Sequence, residues 1–339
     1  MHYHTMIFRR CSAIFFIWAV TAVWILPAAL HAQVRLFVSD GNGVERYDFA
    51  SHSLSTLVPE SAGAFSMTGL TVGPNGNLFV AATGPAPQIF EYNQATGAQI
   101  GAQPFVFYEG TPPSPDPHDV INPQGMRFSP LNGNLYVADV SGSTANVHMY
   151  GPTGASLGAL TDATLDQPSD VAFDAHGNMY VVNPGMANVL VSALGTQPLT
   201  EFVSTQSGGL TNPTALTFGP DGKLYVLDLS TSAIDRYNSN GSFDTTVVSF
   251  PLFQPVGLAF GPDGKLYVSG IDLLQNAGQI LRFTADGVPD GIPIASGLLN
   301  PTFIAFNVPE PSTAMLFGIG AAVAFAATLR RRRLARAKR

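Results

Sequence analysis

Six copies of an aromatic–valine pair, most of them led by Gly-X-Leu, predict an all-β chain folded as a six-bladed β-propeller. The pairs are Phe37-Val38, Phe79-Val80, Tyr136-Val137, Tyr180-Val181, Tyr225-Val226 and Tyr267-Val268, spaced 42, 57, 44, 45 and 42 residues apart. Five of them follow a shorter apolar strand: Gly69–Val72, Gly125–Phe128, Asp170–Phe173, Ala215–Phe218 and Gly257–Phe260. Four of these five have a proline two residues earlier, at Pro123, Pro168, Pro213 and Pro255.

Turn chemistry joins the two strands of each unit. Gly219-Pro220-Asp221-Gly222-Lys223 and Gly261-Pro262-Asp263-Gly264-Lys265 place proline where φ is already near −65° and glycine where φ turns positive. Gly73–Asn77 is a third copy and Asp174–Asn178 a looser one. A third strand follows, such as Ala233–Tyr237, and then a fourth, such as Thr246–Phe250. Four short strands in about 42 residues make one blade.

The first unit lacks its innermost strand and begins at Leu36-Phe37-Val38. The last strand of the repeat region, Pro301–Phe306, has no unit of its own and matches Pro255–Phe260 position for position. It is therefore expected to complete the first blade, pairing edges that would otherwise stay open. The units resemble NHL-type repeats and, more loosely, the lactonase and lyase propellers, over Val34–Phe306. That likeness bears on the fold, because one fold hosts many chemistries.

The two ends are predicted to be addresses. Arg9 and Arg10 precede an uncharged apolar run to Leu26, then Pro27 and the small residues Ala28, Ala29 and Ala32. This is the order of a secretory signal peptide, with cleavage expected after Ala32. The only cysteine, Cys11, leaves with it, so packing alone must hold the mature protein. At the other end, Pro309-Glu310-Pro311 is followed by the apolar stretch Ala314–Leu329 and the basic block Arg330–Arg333. As a helix that stretch would rise about 24 Å, short of the roughly 30 Å hydrocarbon core, so the arginines must snorkel to the interface. They would hold the chain's end on the cytoplasmic side. The arrangement resembles the PEP-CTERM sorting signal of Gram-negative bacteria that make extracellular polysaccharide. The resemblance implies an exosortase as partner, cleavage near Pro309–Pro311, and release or transfer to the cell surface. The expected organisation is a signal peptide at 1–32, a propeller at 33–307, and a sorting signal at 308–339 with a membrane helix at 314–329.

Charge narrows the partners. Nine of the 16 basic residues lie at the two ends, leaving seven against 22 acidic residues between Gln33 and Val308, a net of −15. Such a surface repels nucleic acid, which needs clustered Lys and Arg. It suits cations, neutral glycans or simply solubility, with extracellular polysaccharide or surface proteins as candidate partners and membrane contact only through the C-terminal helix.

Loops before the innermost strands and loops between second and third strands share one face around the channel. Asp40, Asp139, Asp228 and Asp272 follow second strands there, and Asp162, Asp166 and Asp170 precede an innermost one. An Asp in that position either bonds nearby backbone N–H groups or joins others around a divalent cation such as calcium. Asp119 belongs to an insertion, 107–120, that explains the 57-residue spacing; long loops of this kind often carry function. Arg127 stands where the other repeats have Thr71, Ala172, Thr217, Ala259 and Ala305, so it must be paired or face channel water. The candidate ligand contacts are thus Arg127, Asp119, Asp139, Asp170, Asp228 and Asp272. The lactonase and lyase resemblance implies Glu, Asn and Asp ligands or channel histidines. Here the strand approaches carry Asn122, Asn212, Asn300 and Asp170, with no Glu or His aligned. His118, His148 and His176 scatter, which is no ligand pattern. The sequence favours a binding module over an enzyme and names no cofactor.

Overall fold

The computed structural model describes residues 34–41, 43–59, 66–106, 120, 122–140, 145–291 and 293–307. The signal segment, most of the insertion with Asp119, and the tail with Pro309, Glu310 and Pro311 lie outside the described residues.

Residues Arg35–Asn307 form one compact unit of six sheets. Blade one starts with β1 (Arg35–Asp40), β2 (Gly43–Asp48) and β3 (Ser53–Val58). Blade two holds β4 (Ser66–Val72), β5 (Leu78–Thr83) and β6 (Gln88–Tyr92). Blade three runs from β7 (Pro123–Phe128) through β8 (Leu135–Asp139) and β9 (Asn146–Tyr150) to β10 (Ser156–Thr161). Blade four has β11 (Asp170–Phe173), β12 (Met179–Asn183), β13 (Asn188–Ser192) and β14 (Leu199–Val203). Blade five has β15 (Pro213–Phe218), β16 (Leu224–Asp228), β17 (Ala233–Tyr237) and β18 (Phe243–Ser249). Blade six has β19 (Phe253–Phe260), β20 (Leu266–Asp272), β21 (Ala277–Phe283) and β22 (Ala295–Leu298).

The last strand, β23 (Pro301–Asn307), returns to blade one. It pairs antiparallel with β1, from Arg35↔Asn307 to Asp40↔Pro301. The closure expected from the orphan strand is what the topology shows, in the order β23-β1-β2-β3. Blade two departs from the four-strand expectation. Its outer position is filled by two isolated bridges, Tyr92↔Gln99 and Ile89↔Val106, among the described residues. Gly101 at φ +84° and Pro104, which has no N–H, interrupt the ladder between them.

Burial explains why the blades stand side by side. Six apolar clusters fill the six gaps between successive blades. The tyrosine or phenylalanine of each repeated pair meets the phenylalanine ending the next blade's innermost strand. Phe79–Phe128, Tyr136–Phe173, Tyr180–Phe218, Tyr225–Phe260 and Tyr267–Phe306 lie edge to face with centroids 4.8–5.1 Å apart. The sixth gap has Val72 at the phenylalanine position and is filled by Phe37 and Phe303. In β23, Phe303 and Ala305 face blade two while Ile304 and Phe306 face blade six, so one strand seals both gaps.

The Pro-Asp-Gly-Lys turns do more than reverse the chain. Asp221 Oδ1 accepts the Lys223 N–H at 3.1 Å, and Tyr225 donates its hydroxyl to Oδ2 at 3.2 Å. Asp263 repeats this with Lys265 and Tyr267. Lys223 and Arg236 then share Asp244, as Lys265 and Arg282 share Asp290. Four of the seven basic residues between Gln33 and Val308 are thus held on the turn side of blades five and six, away from the channel mouth.

Candidate functional site

The acidic face is built from one position repeated around the ring, the last residue of each second strand. Asp40 accepts the N–H groups of Leu299 and Asn300 at 2.9 and 2.5 Å. Asp139 accepts that of Asn122 at 3.0 Å. Asn183 fills the position in blade four, accepting the Asp166 N–H at 2.6 Å. Asp228 takes Thr211 at 2.7 Å and Asn212 at 3.3 Å, and its other oxygen takes Ser230 and Thr231. Asp272 accepts Leu274 and Gln275, and receives the amide of Gln279. Asp139 and Asp228 are fully buried. These side chains clamp the loops of their own blades and do not converge. Among the described residues, no group of three or more His, Cys, Asp or Glu is placed to share a metal ion. His148 is buried on β9 with Nε2 3.4 Å from Asp139, a proximity the sequence did not reveal. His176 lies on an exposed turn of the opposite face, 3.9 Å from Asp174.

Glu45 lies in a recess of about 450 Å³ between blades six and one, lined also by Asp40, Thr56, Leu298 and Leu299. Burial pushes its carboxyl upward, and the Asp40 charge adds to the shift.

A second position repeats around the channel, the residue that follows a proline near the start of the innermost strand in five blades and follows Met67 in blade two. The register slips there in five blades, at Val38/Asp40, Met67/Leu70, Pro123/Met126, Pro213/Ala215 and Pro255/Gly257. A bulge re-aims the side chain at that position. The ring reads Thr302, Thr68, Gln124, Ser169, Thr214 and Val256, all half-buried. Three of its hydroxyls reach to the next blade, whereas Thr214 Oγ1 is buried with no hydrogen-bond partner among the described residues. Thr302 donates to the Thr68 carbonyl at 3.3 Å, Thr68 to Pro123 at 2.7 Å and Ser169 to Thr214 at 2.9 Å. Val256 has no hydroxyl, and Ser269 supplies the bond to the Thr302 carbonyl in its place. The sequence signal for this ring was the proline spacing, which marked the strands but not the bulges.

Three residues further along each innermost strand lies Arg127. Its Nη1 donates to the Leu70 carbonyl on β4 at 3.3 Å and to its own strand's Met126 carbonyl at 3.0 Å. Its counterparts are small, and Ala172, Ala259 and Ala305 pack into the apolar gaps between blades. Asp170 is fully enclosed on the adjoining blade, against Gly125, where an added Cβ would collide with it. Its oxygens accept the N–H groups of Val171 at 2.9 Å and Leu216 at 3.2 Å. Burial pushes the Asp170 carboxyl up to about 6, while the nearby Arg127 charge pulls it back. The two do not form an ion pair, and main-chain carbonyls hold the Arg127 guanidinium instead. Of the sequence-derived candidates, the structure therefore brings Arg127 and Asp170 into one neighbourhood and keeps Asp139, Asp228 and Asp272 apart.

Comparison with known proteins adds the address. Residues 307–333 match the model of the PEP-CTERM protein-sorting motif. This chain is a β-propeller with a PEP-CTERM sorting motif. The motif implies recognition by an exosortase, export, and sorting to the cell envelope. Residues 261–291 also match a β-propeller domain of unknown function, DUF5122. No curated protein matches this PEP-CTERM propeller. Among solved structures it is similar to a chain of a nidogen/laminin complex, at 14% identity and TM-score 0.62, covering 81% of this chain and 98% of that one. A protein of unknown function from Bacteroides caccae gives 14% and 0.59, covering 82% and 99%. A streptogramin B lyase gives 17% and 0.54, covering 78% and 80%. At these identities the likeness bears on the fold alone.

Proposed function

We propose that this propeller is a non-enzymatic binding module of the cell surface or extracellular matrix, taking glycan or protein on its channel face. The observation that carries the reading is the use made of the acidic residues on that face. Asp40, Asp139, Asp228 and Asp272 fix loop backbones in place, which presents a rigid, polar and preorganised rim. Before export is complete, segment 314–329 anchors the chain in the inner membrane, and an exosortase cleaves near Pro309–Pro311. The test is saturable binding of the purified chain to exopolysaccharide from an exosortase-bearing bacterium, with the polysaccharide recovered intact. Steady release of new reducing ends or unsaturated sugars would contradict a non-enzymatic role.

One observation favours the alternative, a lactonase- or lyase-like enzyme dependent on a metal. Asp170 titrates near 6, within the range of a general acid or base. Turnover of a lactone or a streptogramin that requires added divalent metal and is lost in Asp170→Asn would establish it.

A further inference from the structure

The channel holds one cation whose bonding is incomplete. Of the guanidinium nitrogens of Arg127, only Nη1 makes hydrogen bonds among the described residues, to the carbonyls of Leu70 and Met126. Those bonds fix the plane of the group and leave Nε and Nη2 as a two-pronged donor. Such a fork matches the two oxygens of a carboxylate. The residue is half-buried, so a pair formed there would be partly shielded from water. The enclosed Asp170 does not use the fork, since its two oxygens already receive backbone N–H groups.

Above Arg127 the ring of Thr302, Thr68, Ser169 and Gln124 offers the opposite chemistry. Thr68 and Ser169 spend their single hydroxyl donors on neighbouring carbonyls, leaving lone pairs to accept, while Thr302 shares its hydroxyl between Ser39 Oγ at 2.6 Å and the Thr68 carbonyl at 3.3 Å. Gln124 gives one amide N–H to Asn122 at 3.0 Å, and its carbonyl oxygen is an acceptor. A ligand that fits must donate hydrogen bonds at the mouth and accept them with a negative charge below. A sugar acid does both, with ring hydroxyls as donors and its carboxylate as acceptor. A peptide C-terminus supplies the carboxylate but few donors for the ring.

We propose that the channel binds a uronic-acid residue of an acidic glycan, with its carboxylate held bidentately by Arg127 and its hydroxyls by the Thr68–Gln124–Ser169–Thr302 ring. This rests on the binding reading above and narrows the ligand to an acidic sugar. It also gives a protein of net −15 between Gln33 and Val308 a reason to keep a lone arginine in its channel.

The test is titration of the full chain in mild detergent with oligoglucuronate, with the neutral glucose oligomer of the same length, and with a short peptide bearing a free C-terminus. Binding is measured by calorimetry for the unaltered chain, Arg127→Ala and Arg127→Lys. The expected result is preference for the uronate, weakened about tenfold or more by Arg127→Ala and only partly restored by Arg127→Lys. Melting curves of both variants confirm that they fold. Equal uronate affinity in the unaltered chain and a folded Arg127→Ala overturns the proposal. Neutral oligomers bound as tightly as uronate also overturn it while leaving glycan binding in place. Binding of the peptide alone overturns it in favour of a protein ligand. No binding of any of the three overturns the proposal and removes its support from the broader reading.

Discussion

Asp170 shows how one buried carboxyl couples the channel to the fold. In the folded chain it titrates near 6 because burial penalises its charge more than Arg127 relieves it. In the unfolded chain it returns to the ordinary carboxylate range. Between about pH 4 and pH 6 the folded state therefore holds the extra proton. The stabilisation from this group is complete below that window and is lost as pH rises through it. Glu45 and Asp235 are also shifted upward by burial, so the raw pH profile mixes several groups. The difference between the unaltered chain and Asp170→Asn isolates one. The melting advantage of the unaltered chain should be largest near pH 4 and shrink as pH passes 6. A difference that stays constant from pH 4 to 7 would mean that Asp170 is ionised throughout. The sequence placed Asp170 beside an innermost strand but could not show its enclosure. That depends on Gly125 of the preceding blade, and on Leu216 of the following one, neither of which is a sequence neighbour.

Hairpins between third and fourth strands lock neighbouring blades together. Gly97, Gly154, Gly241 and Gly287 sit at φ between +72° and +82° in these turns. A Cβ added at any of them would collide with a backbone carbonyl of the preceding blade, at Leu57, Phe105, Phe202 and Val247 respectively. Two demands meet at one residue, a left-handed backbone and close approach to a fixed main chain. Replacing Gly241 by alanine should cost about 1 kcal/mol for the backbone conformation alone, with the collision added. A drop in melting temperature of several degrees is expected. Gly222→Ala provides the comparison, because that glycine has a similar φ of +73° and nothing near its added Cβ. Equal loss in the two variants would remove the interlocking role. The sequence announced the turns through their glycines. It could not show that these glycines face another blade, since the contact spans some 40 residues and depends on the stacking angle of the sheets. The aromatic pairs were legible in the opposite way. Both partners recur in every unit but the second, so the repeat itself pointed to a shared interface.

At the scale of the whole molecule, six blades and their closure could be read directly, because an orphan innermost strand at one end matched a missing one at the other. What the sequence could not supply was the fate of the acidic face. Asp in a loop serves as well for clamping a backbone as for binding an ion, and only the positions of the opposing N–H groups separate the two. The channel ring was hidden for a related reason, since a bulge is a property of paired strands and leaves no mark on one of them. Closure remains the feature on which the rest depends. It sets the ring of polar side chains and the neighbourhood of Arg127 and Asp170. Phe303, Ile304 and Phe306 of β23 pack into both flanking gaps. Losing them removes about 2 kcal/mol per large side chain and leaves the edge of β1 unpaired. That approaches the entire stability of a typical domain, about 5–15 kcal/mol. The most direct measurement is thermal melting of two shortened chains, residues 33–300 and residues 33–308. The second should melt cooperatively and close to the full-length protein, whereas the first should be unfolded or melt far lower. Equal melting of the two would contradict a ring closed by its C-terminal strand.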